Sequence, residues 1–305
     1  MFERLDKTTV AVLGVLALVA VLLAAFMVHI VDRSSEHINE IKQTKVDLPT
    51  RVAPLMVDED ELTSITLINR PNFVACVVSD AKLTDAILRK VLAIDNLREL
   101  CLKRCEFKRS DFQTLSTHPF EILRIEDGTI SDDSLGGIAR MPTVRHFGMI
   151  ACDIEPSALR QLAGSNIRWL EIRSSKSIKN DGKFIAADLV PLCDLNHLSF
   201  LDVERTRFAS GAFRGLAGST AFCINVERCD LSDDDLRDIA KMPHIEYVKA
   251  IRNPNLTCKS ARSLLEAKSF RSGAMDLETI SKCGFTDQEM NKLDPEHYLI
   301  RKAFW

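Results

Sequence analysis

From residue 73 onward the apolar positions of the chain recur with a fixed rhythm. Taking the last apolar residue of each short β-like run as an anchor gives Val78, Leu102, Ile125, Met149, Ile172, Val203, Val226, Ala250 and Ile280. Their separations are 24, 23, 24, 23, 31, 23, 24 and 30 residues. Two residues before the anchors stand Cys76, Leu100, Leu123, Phe147, Leu170, Leu201, Ile224 and Val248; Glu278 breaks this rule in the last unit. A period of two predicts a short strand with one face buried. Further along each unit come apolar pairs three apart: Phe112/Leu115, Leu135/Ile138, Leu159/Leu162, Phe213/Leu216, Leu236/Ile239 and Met290/Leu293. That spacing puts both side chains on one face of a helix. Between strand and helix, Thr84-Asp85, Ser131-Asp132, Ser232-Asp233 and Thr286-Asp287 supply helix caps, and Thr286 with Glu289 fits a capping box. One strand and one helix cannot bury their own apolar face, but a stack of such units can.

Leu97-x-x-Leu100-x-Leu102-x-x-Cys105-x-Phe107 and Val144-x-x-Phe147-x-Met149-x-x-Cys152-x-Ile154 resemble the leucine-rich-repeat pattern position by position. They are similar to its cysteine-containing, ribonuclease-inhibitor-like type. The resemblance covers residues 73–294, about nine units. It implies an α/β solenoid, a horseshoe with a parallel sheet on its concave side and helices on its convex side. It also implies that the position three after the anchor points inward at the turn. Cys105, Cys152, Cys229 and Cys283 hold that position, with Thr206 and Asn253 in other units. The long spacings predict insertions that bulge from the solenoid within 175–196 and 252–276. What the family shares in function is an extended interaction surface.

Residues flanking the anchors are expected on the concave face. Three before the anchor, His146, Trp169, Phe200 and Tyr247 predict a ridge of rings along one edge of the sheet. Tryptophan and tyrosine suit such a surface because they combine large area with a polar group. Two after the anchor, Arg205, Arg228 and Arg252 form a basic column. Arg173, Glu204 and Glu227, one after the anchor, stand beside it. These ten residues are the candidate partner-binding set, suited to a folded protein or a peptide. The competing reading is that the rings pack internally and the charges pair across strands.

Ahead of the repeats, Thr9–Val31 is a run of 23 residues without Asp, Glu, Lys or Arg. At 1.5 Å per residue such a helix spans a hydrocarbon core of roughly 30 Å. It is longer than a signal-peptide core and lacks its small-residue exit. The expected organisation is therefore a short tail (1–8), a single transmembrane helix (9–31), a juxtamembrane stalk and N-terminal cap (32–72), the solenoid (73–294) and a C-terminal cap (295–305). Charge around the span is nearly even, with Arg4 and Lys7 on one side and Arg33, Lys42 and Lys45 on the other. The lean is to a cytoplasmic N-terminus and an extracytoplasmic solenoid.

Composition narrows the function classes. Lys and Arg total 40 against 43 Asp and Glu, a net charge of −3, which argues against a nucleic-acid binder. Nine cysteines are an odd count in a chain too long for a small disulfide-stapled module. Buried reduced thiols are expected, with no metal site and no cofactor. The phosphate-binding, dinucleotide, zinc-protease and nucleophile-elbow motifs are all missing from the sequence. The Asp132/Asp133 and Asp233/Asp234/Asp235 clusters recur at helix starts and read as caps. The expected function is non-catalytic recognition of a protein or peptide at a membrane surface. The alternative is a structural or assembly subunit of a membrane complex, with an enzyme third.

Overall fold

The computed structural model describes residues 55–56 and 64–293. The transmembrane run 9–31, most of the stalk and the cap 295–305 lie outside the described residues. Among the described residues no helix is long and apolar enough to cross a membrane.

The strands form an eleven-stranded sheet. It opens with β1 (Leu55–Met56) and β2 (Ser64–Asn69), paired antiparallel with each other. β2 runs antiparallel to β3 (Val74–Ser79), so a hairpin covers the first rung of the ladder. From there β4 (Leu97–Lys103), β5 (Ile122–Glu126), β7 (His146–Ile150), β9 (Trp169–Arg173), β11 (Phe200–Asp202), β12 (Cys223–Asn225), β13 (Tyr247–Lys249) and β14 (Ser272–Ala274) follow in parallel, in chain order. Beyond the anchors a second, three-stranded parallel sheet joins β6 (Thr129–Ile130), β8 (Asp153–Ile154) and β10 (Lys176–Ser177). This is the strand-then-helix coil that the apolar rhythm predicts.

The anchors and their partners two residues earlier point into one continuous core. Phe112, Phe120, Phe147, Phe184 and Phe213 are its largest fully buried side chains. Burial of each such ring contributes roughly 1.5–3 kcal/mol. The second layer is mixed rather than uniformly α-helical. Asp85–Leu92, Arg109–Leu115, Asp233–Ala240, Cys258–Glu266 and Asp287–Leu293 are α-helices. Ile138–Arg140, Pro156–Leu162 and Ala212–Leu216 are 3-10 turns. Glycines at 136, 137, 211 and 215 disfavour α-helix in two of these units. The expected cap at Ser131-Asp132 accordingly starts no helix. The other caps form: Thr84 accepts from the Ile87 amide at 3.4 Å, Ser232 and Asp235 close a capping box, and Thr286 and Glu289 do the same.

Three expectations are corrected. First, Ile280 is not a strand anchor: it lies in the helix Leu277–Ile280, and the ninth strand is β14. Its register with β13 makes Met275 the equivalent of Ala250, only 25 residues on, so 252–276 is an ordinary unit without an insertion. The pattern fails there because Gly273 stands where the other units carry a larger apolar side chain. A Cβ at Gly273 would lie 2.7 Å from the Val248 carbonyl and 3.1 Å from the Phe270 ring. That ring takes the space of the missing side chain. Second, most of 175–196 does not bulge. Ser175 and Ser177 are buried and Phe184, Leu189, Leu192 and Leu195 join the core. The extra length is the turn at 178–183, where Asn180 and Asp181 have positive φ and Ile178 is 50% exposed. Third, two cysteines are oxidised: Cys258 and Cys283 form a disulfide, whereas Cys76, Cys101, Cys105, Cys152, Cys193, Cys223 and Cys229 lie outside it as thiols.

The inward position at each turn has a defined task. The side chain three after an anchor donates to the carbonyl of the preceding unit's anchor. Cys105 Sγ reaches Val78 at 3.3 Å, Cys152 Sγ reaches Ile125 at 3.4 Å and Ser175 Oγ reaches Met149 at 2.9 Å. Thr206 donates to Ile172, Cys229 Sγ to Val203 at 3.0 Å, and Asn253 Nδ2 to Val226 at 2.9 Å. Gly128 holds the position after Ile125 and has no side chain to donate. A buried carbonyl without a partner is costly, so these residues close what the parallel ladder leaves open.

Candidate recognition face

Parallel pairing in register stacks equivalent residues into columns on the exposed face of the sheet. His146, Trp169 and Phe200 are direct ladder neighbours across β7, β9 and β11. The His146 ring stacks on Trp169 with centroids 4.6 Å apart and planes 13° from parallel. Phe200 meets the other side of Trp169 edge-on at 4.7 Å. Trp169 is half-buried, and Phe200 is buried. The next rung carries buried Cys223, so Tyr247 is separated from Phe200 and instead lies 6.4 Å from the Phe222 ring.

Arg205, Arg228 and Arg252 occupy equivalent positions in successive units, and the backbone explains their placement. Arg205, Arg228 and Arg252 have φ of 57°, 57° and 59°, like Arg104, Asp127, Ala151 and Ser174 at the same place in earlier units. Each of these units leaves its strand through this left-handed residue, a conformation that costs a non-glycine residue about 1 kcal/mol or more. The arginines are not a free basic stripe. Arg205 lies 3.3 Å from Glu204, Arg252 lies 3.0 Å from Glu227, and Arg228 lies 4.0 Å from Glu227. Glu204 also accepts from Arg173 at 2.8 Å, and Glu227 from Lys249 at 2.6 Å. Burial alone would raise the Glu227 carboxyl; Lys249, Arg252 and Arg228 outweigh it and hold it below the ordinary value.

One column further in lie residues that the candidate set omits: Arg124, Glu171, Asp202 and Asn225. Their signal was their shared position one before the anchor. Glu171 Oε2 faces His146 Nε2 at 3.2 Å and Arg124 Nε at 3.7 Å, and Arg124 pairs in turn with Glu99. Burial pushes the Glu171 carboxyl up, but His146, Arg124 and Arg173 bring it below the usual range. The Arg124–Glu171 contact skips a rung because that rung is Gly148. A Cβ there would lie 2.9 Å from Glu171 Oε2 and 3.3 Å from Arg124 Cγ. Asp202 is the opposite case. Its burial outweighs the Glu204 amide, Arg173 3.7 Å away and the Asn225 amide at 3.0 Å, and its pKa rises to about 6.

The cysteines near this face are inert. Burial pushes the Cys76, Cys101, Cys152 and Cys229 thiols up to about 12. The Asp233–Asp235 cluster serves structure: Asp235 accepts from the Ser232 and Gly211 amides, and Asp233 accepts from Thr257 of the next unit. Among the described residues no group of three or more His, Cys, Asp or Glu could hold a metal ion. The face carries stacked rings and paired charges.

No protein-family model matches the chain, and no curated protein matches it. Two solved structures show a low likeness. A crystal structure of a TLR13–ssRNA13 complex shares 16% identity, with a TM-score of 0.45, over 64% of this chain and 27% of that one. The Toll–Spatzle complex of Drosophila shares 11% identity, with a TM-score of 0.40, over 77% of this chain and 35% of that one. The chain thus spans between a quarter and about a third of the solved chains it matches.

Proposed function

We propose that this chain is a membrane-anchored, non-catalytic recognition module that takes a protein or peptide on the exposed face of its parallel sheet. The observation that carries the reading is the ring stack of His146, Trp169 and Phe200, held on consecutive rungs beside the Glu171–Arg124 and Arg173–Glu204 pairs. Trp169 is clamped from both sides, so little side-chain entropy remains to be lost on binding. The charge pairs around it are already oriented, which favours specificity and register over bulk affinity.

In this reading residues 9–31 span the membrane and the solenoid is extracytoplasmic. The Cys258–Cys283 disulfide supports that side, because such bonds persist in oxidising compartments. The buried thiols do not oppose it, since burial shields them from oxidation. A test of both parts uses the full chain in its membrane. Ile178→Cys, in a Cys193→Ser background, should react with an impermeant maleimide in intact cells; reaction only after permeabilisation would overturn the orientation. Trp169→Ala with Arg228→Glu should abolish a discrete partner complex on native electrophoresis while the buried thiols stay protected. A complex that survives those changes would overturn the sheet-face reading.

A further inference from the structure

The last unit carries an open groove of about 760 Å³ beside the disulfide, with Pro254, Leu256 and Leu277 among its lining residues together with Cys258, Asp276 and Glu278. Leu277 is 49% exposed, one of three large apolar side chains so exposed among the described residues. The helix Asp287–Leu293 packs across the open edge of β14: the Met275 amide donates to the Leu293 carbonyl at 3.1 Å. The chain therefore leaves Leu293 beside Met275, next to the groove wall at Asp276 and Leu277. The remaining segment, Asp294–Trp305, is rich in apolar residues: Tyr298, Leu299, Ile300, Phe304 and Trp305. Between these stand Arg301 and Lys302; the groove's own charges are balanced, Arg252 and Lys282 standing with Asp276 and Glu278, and Lys282 pairs with Glu278 at 3.0 Å. Twelve residues reach roughly 18 Å as a helix and about twice that extended, ample to cross the adjoining groove.

We propose that this groove is the docking site of the chain's own segment Tyr298–Trp305, which covers Leu277 and shields the Cys258–Cys283 bond. Intramolecular docking needs no partner concentration, because the tether supplies a high effective concentration.

Trp169 and Trp305 are the only tryptophans of the sequence, so a Trp169→Phe chain reports on Trp305 alone. The full chain would be studied in lipid nanodiscs. Trp305 emission should be blue-shifted relative to the denatured chain and move to the red on Leu277→Asp, an exposed position that the fold tolerates. Reduction of the Cys258–Cys283 bond by a small thiol should be roughly tenfold faster in Leu277→Asp and in Phe304→Asp, as for any locally uncovered bond. Emission already at the denatured position overturns the proposal. So does blue-shifted emission indifferent to Leu277→Asp: quenching by brominated lipid would then assign the segment to the bilayer, and concentration dependence would assign it to a second copy.

Discussion

Between Val78 and Val226 the coil is closed by side chains that reach back one unit; after Ala250 it is closed by a covalent bond. In the first region Cys105, Cys152, Ser175, Thr206, Cys229 and Asn253 each donate to an anchor carbonyl behind them. The device works only where the next unit supplies both a strand in register and a donor at the turn. The last unit has Gly273 in place of a core residue, and no further strand follows β14 in the sheet among the described residues. Its helix Cys258–Glu266 and the turn at Cys283 are joined by the disulfide, with Arg262 lying over the Phe285 ring at 5.5 Å. Middle units borrow stability from two neighbours, whereas an end unit has only one. The same residue type thus does two jobs: an interior cysteine is a weak donor with a raised pKa, and a terminal pair is a staple.

Breaking the staple should have the largest effect. Cys283→Ser removes a link between residues 25 apart in sequence, worth about 3 kcal/mol on loop-closure grounds. The loss should stay local. Hydrogen exchange should accelerate across 258–293 while β4 to β12 keep their protection; equal acceleration throughout would merge the two regions into one cooperative unit.

A smaller loss is expected from Asn253→Ala, the link between the regions. Asn253 is fully buried, donates to Val226 and Ala250, and accepts from the Cys229 and Leu231 amides. Its removal leaves buried backbone groups unpaired, at a cost of about 2 kcal/mol. Urea unfolding measures it. Thr206→Cys, which keeps a donor, should cost well under half as much.

The third effect is a gain. The Asp202 pKa is raised to about 6 by burial, so the folded state holds a proton that the unfolded state has released between that value and the ordinary aspartate value of 3.8. Stability from this group is therefore lost as pH rises through about 6, and Asp202→Asn should stabilise the protein at pH 7 by roughly 2–3 kcal/mol. At about pH 4 the two proteins should unfold alike. Glu171 and Glu227, held low, act in the opposite direction and favour the folded state above the ordinary carboxylate range. A stabilisation by Asp202→Asn that is equal at both pH values would assign the gain to packing.

The rungs whose strands carry two core side chains were legible in the sequence because the period of two and the turn donor coincide there. Five anchors, Val78 to Ile172, pair with one another in the ladder, and Val203, Val226 and Ala250 directly follow their strands. The ninth was misplaced because Phe270 fills the room of Gly273 from outside the repeat pattern, a tertiary substitution that no local period carries. The disulfide escaped for the same reason: with Ile280 taken as an anchor, Cys283 falls at a turn-donor position and its partner Cys258 looks unrelated. In the recognition face the columns were legible from register alone. What was not legible was who pairs with whom. Tyr247 stands two rungs from Phe200, with Cys223 on the rung between, and Arg124 and Glu171 came in because Gly148 lets them meet across a rung.

The proposed partner meets the sheet face and not the helical side. A photo-crosslinking residue in place of Ile150 on the face, or of Arg237 on the exposed side of the helix Asp233–Ala240, tests this in the full chain in its native membrane. A discrete adduct is expected from position 150, lost with Trp169→Ala, and none from position 237. An adduct from 237, or one from 150 that ignores Trp169→Ala, would contradict recognition through the sheet face.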